Sequence, residues 1–199
     1  ATVQSARVFT PQSSYMVTDI LSELKRPDLP TSWEFTPNLP RVAWKTGTSY
    51  GRKDAWAIGY DPDYTVGIWA GNFSGEGSVA IVGADISAPL MFSIFSQLRH
   101  NEPKRWFDIP PGVGVRSVCA VSGQVVSADC PNWINEEYII GVSPSAECKV
   151  HRRIFVDRNS GYAICTRCAA DKKSEQVVTE NWPPRISAWL LSKGMLSAE

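Results

Sequence analysis

Apolar and polar positions along the chain follow two periods, and the changes between them mark the predicted elements. After Thr10-Pro11, the residues Met16, Val17, Ile20, Leu21 and Leu24 recur at helical spacing, which predicts a helix whose apolar face packs on a sheet. Thr10 offers a capping hydroxyl, and the missing N–H of Pro11 costs nothing at the first helical position. Pro27, Pro30, Pro37 and Pro40 make residues 26 to 40 an extended connector, with Trp33 and Phe35 pinning it to the surface. From Arg41 the period shortens to two. R-V-A-W-K-T-G-T-S-Y, D-A-W-A-I-G-Y (54–60) and Y-T-V-G-I-W-A-G-N (64–72) read as three strands, joined by turns at Gly51-Arg52-Lys53 and Asp61-Pro62-Asp63 into an antiparallel meander. Trp56 and Trp69 are expected in its core. Glycines and serines make a loop of 73 to 84, and Ser87-Ala88-Pro89 then opens a helix carrying Leu90, Met91, Ile94, Phe95 and Leu98.

Periodicity breaks off at H-N-E-P-K-R-W-F-D-I-P-P-G-V-G (100–114), where proline and glycine take over. This gives three regions: residues 1–102, a linker of 103–114, and a module of 115–199 that holds all five cysteines. Within the module, Ser117 to Val126 reads as a small hairpin and Tyr138 to Val142 as a short strand. Arg153 to Asp157 is expected to pair with Tyr162 to Cys165 across Arg158-Asn159-Ser160-Gly161. A last helix starts at Asn181-Trp182-Pro183-Pro184, holds Ile186, Trp189 and Leu190, and stops at Gly194. The fold class is α+β: an antiparallel sheet with helices packed on it, then a small Cys-rich, β-rich module with a C-terminal helix.

The chemistry-bearing stretch is Lys45-Thr46-Gly47-Thr48, on the first strand. K-T-G after a strand is one of three signatures of penicillin-binding proteins and serine β-lactamases. Here its flanks, D-A-W-A-I-G-Y and V-G-I-W-A-G, also resemble the sheet of class A penicillin-binding transpeptidases. The continuation C-A-V-S-G…D-C-P, I-I-G-V-S-P, C-x-V-H-R and W-P-P is similar to the penicillin-binding protein 1C branch. The resemblance covers most of the chain. It implies that Lys45 stands beside a nucleophilic serine, and that the hydroxyls of Thr46 and Thr48 bind the carboxylate of a D-Ala-D-Ala stem peptide or of a β-lactam. Gly47 lets that substrate approach the backbone, the Thr48 N–H serves as an oxyanion donor, and Asp54 braces the strand. The family's S-x-x-K and S-x-N segments are not found in their places. Ser22-Glu23-Leu24-Lys25 matches S-x-x-K but lies only twenty residues before Lys45 and is closed by Arg26-Pro27. The resemblance therefore describes the last part of a transpeptidase domain together with a Cys-rich region C-terminal to it, expected not to acylate alone, from a protein anchored upstream and facing the periplasm.

Cysteine spacing leaves two arrangements open. Cys148-x2-His151 and Cys165-x2-Cys168 have the spacing of a Cys3His structural zinc site, which would leave Cys119 and Cys130 to close a disulfide. An all-disulfide arrangement suits an oxidising compartment but leaves one cysteine over. Catalysis needs no cofactor in either case, and His100 receives no role. The twenty basic and twenty acidic residues cancel, which speaks against a nucleic-acid partner, and no apolar run is long enough to span a membrane. A content of 43% apolar residues with eight tryptophans suffices for a core. Against the transpeptidase reading stands a non-catalytic module that binds a protein partner at the cell envelope, with the K-T-G strand coincidental.

Overall fold

The structure, a computed structural model, describes residues 7–27, 39–100, 102, 105–171 and 173–195. Most of the proline-rich connector, with Trp33 and Phe35, lies outside them, as do Pro103 and Lys104 of the expected linker. The chain divides into two units, Ala1–Gly112 and Val113–Glu199.

In the N-terminal unit, helix α1 (Pro11–Ser22) begins at Thr10, whose Oγ1 accepts the Ser13 N–H at 3.1 Å. Strands β1 (Ala43–Thr48), β2 (Asp54–Tyr60) and β3 (Thr65–Gly71) form an antiparallel sheet in the order β1-β2-β3. Helix α2 (Ala88–Leu98) follows one π-helical turn at Gly83–Ser87. The core is the seam between α2 and the sheet. Ala88, Met91, Phe92 and Phe95 lie against Val42, Trp44 and Ala57, with the Trp44 and Phe92 rings edge to face at 5.1 Å. Gly59 makes the close approach feasible, because a Cβ there would stand 2.7 Å from the sulfur of Met91.

Two expectations about faces are corrected. Trp56 and Trp69 are not core: they pair across β2 and β3 and remain 45% and 38% exposed. Alternation along β2 sends Ala55 and Ala57 to the helix side, so Trp56 and Ile58 take the other face. Helix α1 buries Tyr15, Thr18 and Ser22, while Val17 and Ile20 stand exposed. Polar contacts turn it: the Thr18 hydroxyl meets Tyr60 Oη at 2.8 Å, and Ser22 Oγ accepts from Arg41 Nη2 at 2.9 Å.

In the C-terminal unit, β4 (Val113–Cys119) pairs antiparallel with β5 (Trp133–Ile139). The hairpin expected over Ser117 to Val126 is thus only an isolated bridge between Val118 and Val125. A second sheet has the order β7-β6-β8, from β6 (His151–Asp157), β7 (Ala163–Ile164) and β8 (Ser174–Glu180). Helix α3 (Thr166–Asp171) lies between β7 and β8, and α4 (Pro184–Ser192) closes the unit. Its buried cluster is Cys119, Cys130, Cys148 and Val150, with Val126 and Trp182 packed against it. Among the described residues, no helix is long and apolar enough to cross a membrane.

Candidate functional site

Strand β1 is a sheet edge, bonded to β2 on one side and to no other strand among the described residues. The Ser49 N–H donates to the Asp54 carbonyl at 2.9 Å. In an antiparallel ladder this fixes the alternation: Lys45 and Gly47 bond to β2, and the peptide groups of Trp44, Thr46 and Thr48 point off the free edge. Side chains alternate as well. Thr46 and Thr48 share the side of Gly83, while Lys45 and Gly47 lie on the side of Trp56, the cross-strand partner of Gly47.

The backbone of Gly83 seats this edge. Its N–H donates to Thr48 Oγ1 at 3.2 Å, and a Cβ on it would come within 2.7 Å of the Trp56 carbonyl and 3.0 Å of that of Gly47. Thr48 Oγ1 therefore accepts from the protein and keeps its own proton to donate. Lys45 is exposed, and its Nζ donates to the Thr46 carbonyl at 2.8 Å, over the edge itself. A Cβ built on Gly47 would stand 3.9 Å from Trp56 Cβ, an ordinary van der Waals contact. Asp54, the first residue of β2, accepts from Trp69 Nε1 of β3 at 2.9 Å, and its N–H donates at 2.8 Å to the Oγ of Ser49, the residue after β1. Ser22 is buried, donates to the Asp19 carbonyl at 2.8 Å and accepts from Arg41. A cavity of about 820 Å³ lies elsewhere, around Tyr15, Tyr60 and Phe107, and none of Lys45 to Thr48 lines it.

The second constellation lies in the C-terminal unit. Cys119 ends β4, Cys130 precedes β5, Cys148 stands three residues before His151, and His151 opens β6. Their four ligand atoms lie within 4.8 Å of one another, all in buried side chains, so the group is able to bind a metal. Cys119 Sγ and Cys148 Sγ stand 3.3 Å and 3.6 Å from His151 Nδ1. The set is not the one the spacing suggested. Cys165 and Cys168 are exposed and meet each other, Sγ to Sγ, at 3.3 Å. The reason lies in the pairing: Cys165 follows Ile164, which pairs with Phe155, four residues along β6 from His151 or about 13 Å at the strand rise. Cys119 and Cys130 take their places, as free thiols and not as a disulfide. Eleven residues apart, these two carry no knuckle signature, and only the β4–β5 pairing reveals them.

Burial pushes the Cys148 thiol up, but the backbone N–H of His151, the Ser122 hydroxyl, the His151 ring and the Val150 N–H outweigh it and bring it down to about 6. Cys119 is lowered, because the hydroxyl and N–H of Ser122 and the N–H of Val121 outweigh burial. Burial raises Cys130. His151 is raised: burial opposes its charge, and the sulfurs of Cys148 and Cys119 more than offset that.

Comparison with known proteins places these two constellations in one context. Penicillin-binding protein 1C of Escherichia coli (strain K12) is 28% identical over 191 residues, covering 89% of this chain and 24% of that protein. This chain is similar to penicillin-binding proteins over most of its length. Penicillin-binding protein 1A of Clostridium perfringens (strain ATCC 13124) is 27% identical over 163 residues, covering 79% of this chain and 19% of the relative. The chain thus spans about a quarter or less of the penicillin-binding proteins it matches. Residues 109–153 match the family described as the penicillin-binding protein 1A C-terminal domain, a stretch that contains Cys119, Cys130, Cys148 and His151 but ends before Cys165. In fold, the chain is similar to the crystal structure of penicillin-binding protein 1A from Haemophilus influenzae, with a TM-score of 0.57 at 19% identity over 71% of this chain and 22% of the other.

Proposed function

We propose that this chain supplies the substrate-binding edge of a serine D,D-transpeptidase that cross-links peptidoglycan, with residues beyond this chain supplying the nucleophile. The observation that carries the reading is the free edge of β1: peptide groups of Thr46 and Thr48 point outward, with an ammonium and two hydroxyls around them. An extended stem peptide ending in D-Ala-D-Ala, or a β-lactam, lies along that edge as an added strand. The hydroxyls of Thr46 and Thr48 donate to its carboxylate. The attacked carbonyl turns its oxygen to the Thr48 N–H, which stabilises the charge that develops as the serine oxygen adds. As the serine oxygen bonds to carbon, its proton passes to a base beyond this chain and from there to the amide nitrogen as the C–N bond to the terminal D-Ala, or the ring C–N bond of a β-lactam, breaks; Lys45, released from the Thr46 carbonyl, supplies positive potential beside that serine. Asp54 keeps β2 and β3 in register behind the edge. Ser22, enclosed by Asp19 and Arg41, is not the acylated residue in this reading.

Acyl transfer here needs no cofactor, and a zinc ion on the cysteines and histidine would be structural. The names of the relatives support β-lactam binding, and with it a place outside the cytoplasmic membrane, where peptidoglycan is assembled. The test is covalent labelling by a fluorescent penicillin. The protein that carries this chain together with S-x-x-K and S-x-N segments labels, its Lys45→Ala and Thr48→Val variants label at least about a hundredfold more slowly, and this chain alone does not label. Full labelling of the Lys45→Ala variant would end the proposal.

A further inference from the structure

We propose that Cys119, Cys130, Cys148 and His151 bind one zinc ion through three sulfurs and Nδ1, and that this closed site is the core of the C-terminal unit. The inference is independent of the transpeptidase reading. A tetrahedral zinc with Zn–S near 2.3 Å and Zn–N near 2.0–2.1 Å has ligand-to-ligand edges of about 3.5–3.8 Å. The separations of 3.3 Å and 3.6 Å to Nδ1 lie within about 0.2 Å of the sulfur-to-nitrogen edge at the lower end of that range, and the widest separation in the group, no more than 4.8 Å, needs a contraction of at most about 1 Å.

The surroundings suit thiolates. Ser122 donates its N–H to Cys119 Sγ at 3.5 Å and its hydroxyl to Cys148 Sγ at 3.2 Å, and the Ser127 N–H donates to Cys130 Sγ at 3.4 Å. Each sulfur thus has its own donor. On the far side of the imidazole, Nε2 faces Glu180 Oε1 at 3.9 Å, held there by the pairing of His151 with Glu180. An approach of about 1 Å would make it the hydrogen bond that fixes the tautomer of a metal-bound histidine. In the complex the ion, three thiolates and a neutral imidazole give a net charge of −1, and the protons still held by the thiols and the imidazole go to solvent. Three sulfurs and one nitrogen in a tetrahedron select zinc over metals that prefer oxygen or planar ligand sets, and four protein ligands leave no position for a substrate.

The packing argues the same way. The buried cluster of this unit has one aliphatic side chain, Val150, among three thiols, with Val126 and Trp182 partly buried against it, and Val118 is the other buried aliphatic residue of the unit. An apolar interior this small calls for a cross-link or a metal. A disulfide between any two of the thiols leaves the third buried beside the imidazole without a partner of its kind, whereas one metal uses all three. The exposed Cys165–Cys168 pair lies outside the site.

The experiment is metal analysis of the purified chain by plasma mass spectrometry, with thiol counting and X-ray absorption at the zinc edge. About one zinc per chain, bound by three sulfurs and one nitrogen, is expected, with three thiols that react only after denaturation and chelation. Cys165→Ser/Cys168→Ser keeps the metal, and Cys130→Ser drops it at least tenfold. Because Cys130→Ser can also fail to fold, the absorption spectrum of the unmodified chain decides independently. Zinc kept by Cys130→Ser, or a metal-free chain with a disulfide among Cys119, Cys130 and Cys148 after purification in zinc, overturns the proposal.

Discussion

In the N-terminal unit the interior is Met91, Phe92 and Phe95 of α2 laid on Val42, Trp44 and Ala57 of the sheet. In the C-terminal unit it is three thiols with Val150 and Val118, and an imidazole beside the thiols. The first kind of core is held by area removed from water, which is nondirectional and tolerates repacking. The second has little such area and depends on a few directional bonds at one point. Each unit should therefore respond to perturbations that leave the other unmoved.

The sharpest way to separate them is to remove metal. A strong chelator should abolish amide-exchange protection throughout β4, β5 and β6 while protection in β1 to β3 and α2 persists, because structural zinc sites contribute on the order of 10 kcal/mol to the folds they close. Protection in β4 to β6 that survives chelation would break the comparison. Phe92→Ala is the converse test. That ring is 1% exposed and packs on Trp44 and Arg26, so the substitution should lower the stability of the N-terminal unit by about 3–5 kcal/mol in denaturant titration and leave zinc content unchanged.

A smaller loss, about 3 kcal/mol, is expected for Arg99→Ala. Arg99 binds Asp61 at 2.7 Å, Asp63 at 2.6 Å and Glu102 at 2.6 Å, and Arg105 shares Asp63 at 2.8 Å. Burial raises the Asp61 carboxyl, but the Arg99 guanidinium and the N–H groups of Asp63 and Tyr64 outweigh it and hold it below its ordinary 3.8. The stabilisation from Asp61 is then complete above that value and is lost as pH falls through the lowered one. Acid titration of Arg99→Ala should show a shallower loss there than the unmodified chain. Removing the Thr10 cap with Thr10→Ala should cost about 1 kcal/mol, and Lys45→Ala, on an exposed edge, no more than about 0.5 kcal/mol.

How much the sequence disclosed reflects the range of the forces involved. Strand β2 was legible to the residue because turn formers bound it on both sides, and the Thr10-Pro11 start of α1 because a cap is local. The burial of Thr18 and Ser22 was not, since it depends on Tyr60 and Arg41, distant in sequence. The same limit explains the metal group. Spacing exposes ligands that are neighbours in the chain, such as Cys148 and His151, and attaches them to the next local pair, Cys165 and Cys168. It says nothing of Cys119 and Cys130, which reach the imidazole only because β4 pairs with β5. Strand β8, S-E-Q-V-V-T-E, was missed because its pattern is too polar to stand out, although its last residue backs His151.

The ligands come from two separate stretches, Cys119 with Cys130 and, eighteen residues later, Cys148 with His151. A ribosome adding about 5–20 residues per second needs on the order of one to four seconds to cross that gap. During it the emerging chain has Cys119 and Cys130 but neither Cys148 nor His151 to share an ion with. Whether these sulfurs first meet an oxidant or their later companions is thus a race set by elongation, and slowing translation over residues 131 to 147 is a way to tilt it.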